Sequence, residues 1–236
     1  MIRYIYSLFF SFLWTIVGHI IYPVHILTGK GLGHWFFRTY GRLLFGGNGI
    51  RIVVEGLEHV DRTGRYLVVA NHQSLFDIPV CMAVIPVETK YFAKRELARV
   101  PLFGSILYIY DHVLVDRNNK RGAVRSLHDA KKTLERWSLV IFPEGTRSLD
   151  GKVHGFKTGG LALAAEAGVP ILPVAIRGTG IVLPKGENAV RSGTVHVKIF
   201  PPITPDRAAD RKQLAERLET TIRSFIETDT DGGING

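Results

Sequence analysis

Hydrophobic and polar positions divide the chain into two unlike parts. Between Arg3 and Lys30 there is no Lys, Arg, Asp or Glu, and the run YIYSLFFSFLWTIVGHIIYPVHIL is mostly large and apolar. A helix rising about 1.5 Å per residue over this run matches a hydrocarbon core about 30 Å thick. Gly18 and Pro23, with His19 and His25, make its second half the weaker span. The run is too long for a secretory signal peptide, and no small-x-small cleavage site follows it. In the next stretch, GLGHWFFRTYGRLLFGG, helical spacing puts Leu32, Trp35, Phe36, Tyr40, Leu43 and Leu44 on one face. His34, Arg38 and Arg42 fall mostly on the other, the pattern of a helix lying among lipid headgroups.

After Gly46-Gly47 the period changes. Short apolar runs (IRIVVEG, YLVVA, KYFA, HVLVD, LVIFP, ILPVAI, VHVKIF) alternate with helical patterns at 74–84, 122–137, 158–167 and 207–226. This alternation predicts an α/β fold, a mixed and largely parallel sheet flanked by helices, preceded by an N-terminal membrane-embedded helical segment. The expected division is 1–46 for the membrane-binding helices, 47–228 for the α/β domain and 229–236 for a polar, Gly-rich tail. Several apolar runs end in polar groups: Ala70 in Asn71-His72, Ala93 in Lys94-Arg95, Val115 in Asp116-Arg117, and LVIFP in Glu144-Gly145-Thr146-Arg147. In open α/β sheets ligands bind beyond the carboxyl ends of the strands. If these strands run in a common direction, one crevice collects a histidine, an acid and several cations.

Charge narrows the partners. The 236 residues carry 30 Lys and Arg against 21 Asp and Glu, a net +9 that suits nucleic acid, an anionic membrane surface or a phosphorylated substrate. Lys30, Arg38 and Arg42 outnumber Arg3, which places the bulk of the chain on the cytoplasmic side. Three Trp and thirteen Phe argue against a disordered basic tail protein. The single cysteine, Cys81, cannot form an internal disulfide and reads as a small buried apolar residue.

In VVANHQSLFDIPV, His72 stands five residues before Asp77. Two residues five apart on one helix point about 140° apart. They meet if His72 lies in the turn before the helix and Asp77 in its first turn, with Ser74 as a cap between them. A carboxylate on one imidazole nitrogen fixes the tautomer and stabilises the imidazolium, which suits a general base. No protein nucleophile accompanies the pair: neither Ser74 nor Cys81 has a GxSxG setting. Direct transfer follows, with His72 taking a proton from a substrate hydroxyl that attacks an activated carbonyl. FPEGTRS joins a permissive Gly145 to Arg147, whose guanidinium can grip phosphate oxygens. FKTGG places Lys157 near a helix start, a second candidate for an anion.

Together NHQSLFD, FPEGTRS and ILPVAI resemble the glycerophospholipid acyltransferases, specifically the 1-acylglycerol-3-phosphate type, over nearly the whole chain. The resemblance implies His72 as catalytic base and Asp77 as its partner. It implies an acceptor site of Glu144, Gly145, Thr146 and Arg147, with Arg147 on the phosphate, and assigns Lys94 and Arg117 to the substrate as well. Asp111 departs from the family pattern where glycine is common, and Leu114 where phenylalanine is common. Pro173 matches a fourth block and reads as structural. The implied reaction moves an acyl group from acyl-CoA or acyl carrier protein to lysophosphatidic acid, without cofactor or metal. The implied partner is the lipid bilayer, at the cytoplasmic face of the inner or plasma membrane, and not nucleic acid. Competing readings are another acceptor (glycerol-3-phosphate, another lysophospholipid or an aminolipid), a metal-dependent hydrolase using His72, Asp77 and Glu144, and a non-catalytic membrane-binding protein. The hydrolase lacks a dense ligand cluster in the sequence. The membrane-binding protein leaves His72, Asp77 and Glu144 together unexplained.

Overall fold

All seven apolar runs form strands. The computed structural model describes residues 1–28, 32–115, 120–205 and 210–227, with backbone only at 28 and over 120–125. In chain order the elements are α1 (Ile2–Thr28), α2 (Leu32–Gly47), β1 (Ile50–Glu55), β2 (Leu67–Ala70), α3 (Asp77–Val84), β3 (Thr89–Lys94), α4 (Phe103–Ile109) and β4 (Val113–Val115). There follow α5 (Lys120–Leu134), β5 (Ser138–Ile141), α6 (Ala162–Ala167), β6 (Ile171–Arg177), α7 (Thr179–Val182), β7 (Gly193–Ile199) and α8 (Arg211–Glu227). The expected helix at 158–167 begins only at Ala162, because Gly159-Gly160 favour a turn. The periodicity gave no sign of the short α4 and α7. Lys30, part of the helix expected at 207–226, and the tail at 229–236 lie outside the described residues.

The sheet order is β1-β7-β6-β2-β5-β3-β4. Strands β2 to β6 run parallel, so Val68 sits opposite both Val140 and Leu172. β7 is antiparallel to β6 and parallel to β1, so both run against the rest. The two faces of β2 alternate with the strand period: Val68 and Ala70 pack toward α2 and α3, Leu67 and Val69 toward α5, α6 and α8. Burial on both faces is why the central strands read as unbroken apolar runs. Cys81 is fully buried in the same core.

The apolar face expected on α2 divides between the domain core and the outside. Phe36 and Leu44 are buried, but Trp35 is 55% exposed and Leu43 49%. The buried face is instead Gly33, Phe36, Phe37, Gly41, Leu44 and Phe45, because α2 packs on α3 and is part of the domain core. α1 runs along α2 through stacked rings, Phe10 on Tyr40 and Trp14 on Phe36. Farther along, His19 hydrogen-bonds the Ser105 hydroxyl of α4 at 2.6 Å, and the Tyr110 hydroxyl donates to Gly18 O.

Two local features carry testable consequences. A Cβ on Gly41 would lie 2.5 Å from Pro79 O and 2.9 Å from the Ala83 side chain. Gly41→Ala should therefore force α2 off α3 and cost about 1–3 kcal/mol, read as a lowered thermal unfolding midpoint; an unchanged midpoint contradicts the contact. His112 Nδ1 accepts the Tyr91 backbone N–H at 3.1 Å, and burial beside the Lys90 ammonium pushes its pKa down to about 3. Between pH 6.5 and 3 the unfolded chain takes up a proton there that the folded chain refuses. Stability is thus present above pH 6.5 and falls as pH drops, by up to about 1.4 kcal/mol per pH unit. His112→Asn should flatten that acid limb in denaturant titrations compared at pH 7 and pH 5.

Candidate active site

The five parallel strands bring their carboxyl ends to one side, where the chemistry gathers. β2 ends at Ala70, and Asn71 is locked there by a two-way bond: its amide donates to Ile176 O and accepts from Ile176 N, both 2.8 Å. This joins the ends of β2 and β6 and points the next residue, His72, out of the sheet. Asp77 is the first residue of α3. The pair therefore meets across the turn, with His72 Nδ1 2.8 Å from Asp77 Oδ2.

Asp77 is fully buried, and its oxygens are surrounded by donors. Oδ2 also accepts the backbone N–H groups of Gln73 and Ser74 at 2.7 and 2.8 Å. Oδ1 accepts the Thr179 hydroxyl at 2.5 Å. An oxygen held by two amide donors leaves His72 Nδ1 as the protonated nitrogen of the neutral ring, so Nε2 is the nitrogen free to receive a proton. Phe142 stacks on the imidazole with ring centres 4.2 Å apart and covers one face of it. Ser74 differs from the expected cap: its hydroxyl accepts the Phe76 N–H and donates to Leu183 O, bracing the turn that precedes α3.

Glu144 lies beneath the histidine rather than beside it. One carboxylate oxygen accepts the His72 backbone N–H at 2.7 Å and the other the His154 N–H at 3.2 Å. Burial raises its pKa, opposed by these two donors. The Ser148 N–H donates back to His72 O at 2.8 Å, so the FPEGTRS turn is tied to the His72 turn at both ends. Gly145 has φ 73°, and a Cβ there would fall 2.7 Å from Lys157 Nζ. Lys157 thus lies across the turn, rather than at the helix start expected of it. Lys185 Nζ reaches the same turn from the other side, donating to Arg147 O at 2.7 Å. Thr146 is exposed and Arg147 half-buried. Lys94 ends β3, one strand beyond β5, with its ammonium 3.6 Å from Glu96 Oε1. Arg117 lies outside the described residues. Asp111 takes a left-handed φ of 57°, the conformation glycine adopts most readily, which accounts for a residue able to replace it there.

The structure therefore brings His72, Asp77, Glu144, Gly145, Thr146 and Arg147 together, with Lys94 on the same side of the sheet. Sequence reasoning missed Asn71, Phe142, Thr179 and Lys185. Thr179 had a legible signal, being the first hydroxyl after the run ILPVAI and its Arg-Gly, at a strand end like the others. Lys185 had none, since it reaches the turn only through the path of the chain after α7. Among the described residues, no group of three or more His, Cys, Asp or Glu side chains is placed to hold a metal ion.

His72, with its buried orienting acid and with Lys157 and Lys185 reaching the adjoining turn, is arranged as a general base for group transfer. The family model described as Acyltransferase matches residues 51–177, and the chain belongs to the acyltransferase family. A 1-acyl-sn-glycerol-3-phosphate acyltransferase of Limnanthes douglasii is 35% identical over 177 residues, 74% of this chain and 62% of its own length. The chain thus spans about three-fifths of that relative. The enzyme named 1-acyl-sn-glycerol-3-phosphate acyltransferase alpha in Homo sapiens is 33% identical over 192 residues, 78% of this chain and 67% of its own. The crystal structure of the 1-acyl-sn-glycerophosphate acyltransferase PlsC of Thermotoga maritima superposes with a TM-score of 0.83 at 30% identity, covering 96% of this chain and 94% of that one.

Thr179 is a positioning residue on this geometry, and it can be tested as one. Thr179→Val keeps the shape and removes the donor to Asp77. Acyl-transfer turnover should fall roughly 10- to 100-fold with the acceptor KM unchanged, and Thr179→Ser should restore it. Equal turnover in the valine variant would show that Asp77 needs no second anchor.

Proposed function

We propose that the protein transfers a fatty acyl group from an acyl thioester to the free hydroxyl of 1-acylglycerol-3-phosphate, yielding phosphatidic acid. The observation that carries this reading is the His72–Asp77 pair, with its acid buried and held by several donors, beside the turn of Arg147 that Lys157 and Lys185 reach. The names of the similar proteins support this acceptor over glycerol-3-phosphate or another lysolipid. His72 Nε2 takes the hydroxyl proton as the oxygen adds to the thioester carbonyl. The tetrahedral intermediate then expels the thiolate, which recovers the proton from the imidazolium and leaves as coenzyme A or carrier-protein thiol. Asp77 keeps the ring oriented and compensates its transient charge. Glu144 acts through the His72 backbone, while Gly145 lets the chain approach the phosphate and Arg147 grips it. Lys94 and Arg117 complete the substrate-binding set.

The membrane part of the proposal rests on α1, in which an 18-residue window within Ile2–Leu27 reaches a mean hydropathy of 1.6. One side is stacked on α2 and tied to α4, while Ile2, Leu8, Phe9, Phe12, Ile20 and Leu27 are exposed. Exposed apolar surface of this extent fits the bilayer. Residues 1–46 then serve as the membrane-binding part and 47–228 as the catalytic domain on the cytoplasmic face, with 229–236 as a tail.

The test is acylation of lysophosphatidate by purified protein in detergent micelles, with acyl-CoA and acyl carrier protein compared as donors. His72→Ala should reduce turnover by about 10²- to 10⁴-fold, and near-normal transfer would refute the mechanism. Arg147→Ala should raise the KM for lysophosphatidate with a smaller change in turnover; an unchanged KM removes Arg147 from the phosphate site. Preferential acylation of glycerol-3-phosphate would reassign the acceptor.

A further inference from the structure

A second site lies away from the catalytic pair. Between α2 and the edge strand β1 runs a groove of about 310 Å³, lined by Phe45 and by Ile50, Ile52 and Val54, with Arg38 and Arg42 contributed by α2. Ala83 and Val84, at the far end of α3 from Asp77, close it. At about 1.5 Å per residue along α3, the groove is some 10 Å from the acid. β1 is an edge strand of the described sheet, and its Ile52 and Val54 are partly exposed beside α2.

The charge around this groove is uncompensated. Partial burial lowers the pKa of Arg38, and the positive charges of Arg42 and Arg62 lower it further. Burial lowers the pKa of His34, and Arg38 and Arg42 lower it further against an opposing pull from Glu88. Among the described residues, no carboxylate pairs with Arg38, Arg42 or Arg62. Like charges held together over an apolar trough are costly unless an anion with an apolar tail fills the place. Trp35 and Arg42 lie on one outward face of α2, seven residues apart, and exposed Leu43 carries that face round to α1. Tryptophan and arginine beside an exposed apolar surface mark the depth of lipid headgroups.

We propose that the α2–β1 groove binds an anionic glycerophospholipid of the bilayer, its phosphate against Arg38 and Arg42, with Arg62 outside the lining but within electrostatic reach of Arg38, and one acyl chain along β1. The site rests on the membrane reading of α1, not on the identity of the reaction. It sets the depth at which the domain docks, and ties that depth to lipid charge.

Wild type should bind phosphatidylcholine vesicles containing phosphatidylglycerol more tightly than phosphatidylcholine alone. The triple variant R38Q/R42Q/R62Q should lose that preference, roughly fivefold in affinity per arginine, and keep its affinity for the neutral vesicle. Acyl transfer in detergent micelles should be unchanged, which also shows that the variant folds. Ile52→Trp fills the trough and leaves the arginines in place; it should weaken binding of dihexanoyl-phosphatidylglycerol but not of inorganic phosphate. The proposal is overturned if the triple variant keeps the preference for phosphatidylglycerol, or if inorganic phosphate competes as well as the short-chain lipid. It is also overturned if the variant loses only transfer from acyl carrier protein, which would assign the arginines to an acidic protein. Wild type that binds neither vesicle overturns the membrane reading and the groove together. Wild type with the vesicle preference but no acyl transfer supports the groove and overturns the reaction.

Discussion

A carboxylate with no solvent contact must have its lone pairs occupied by donors, and Asp77 meets that demand by recruiting three separate parts of the chain. The turn after β2 supplies the His72 ring and two backbone amides, α3 supplies the acid itself, and the start of α7, just after β6, supplies the Thr179 hydroxyl. The desolvation cost of burying Asp77 is offset only when all of these arrive together. Ring orientation, tautomer and the closure of the β6 loop over the site are therefore consequences of one satisfied ion. Leu183 O on Ser74 and Lys185 on the Arg147 carbonyl extend the same loop across to the phosphate-type turn.

The site is also coupled to the N-terminal helices by contact. α3 begins at the acid and packs against α2 along its length, with Gly41 allowing the two backbones to approach. α1 lies on α2 and is bonded to α4 through His19 and Tyr110. A surface that seats α1 and α2 consequently fixes how the carboxyl ends of the strands face that surface. The proposed acceptor, with its acyl chain in a bilayer and its phosphate at the headgroups, suits this arrangement, because its free hydroxyl lies between the two.

Glu144 shows how a sequence motif can be right about place and incomplete about role. Its position beside Gly145 and Arg147 suggested a direct part in acceptor binding. Both carboxylate oxygens are instead engaged by backbone N–H groups, one of them that of His72. Lys157 likewise belongs with the FPEGTRS turn, not with a helix start, because α6 begins five residues later than the lysine and Lys157 folds back over Gly145. The α2 face divides for a related reason. Helical spacing identifies which residues share a face but not which neighbour covers it: Gly41 packs on α3 and Phe37 on Tyr110 and His112, which leaves Trp35 and Leu43 outside the core.

The strands were legible because residues buried on both faces leave continuous apolar runs, and the His72–Asp77 pair because a short turn between strand and helix makes that contact local. Local chemistry of this kind is written in neighbouring residues. The second anchor on Asp77, the cation on the Arg147 carbonyl and the lock between Asn71 and Ile176 join residues 102, 38 and 105 positions apart. Which distant donor reaches a buried acceptor depends on strand order and on how the loops return. Those are set by packing of the whole sheet, so only the tertiary structure decided them.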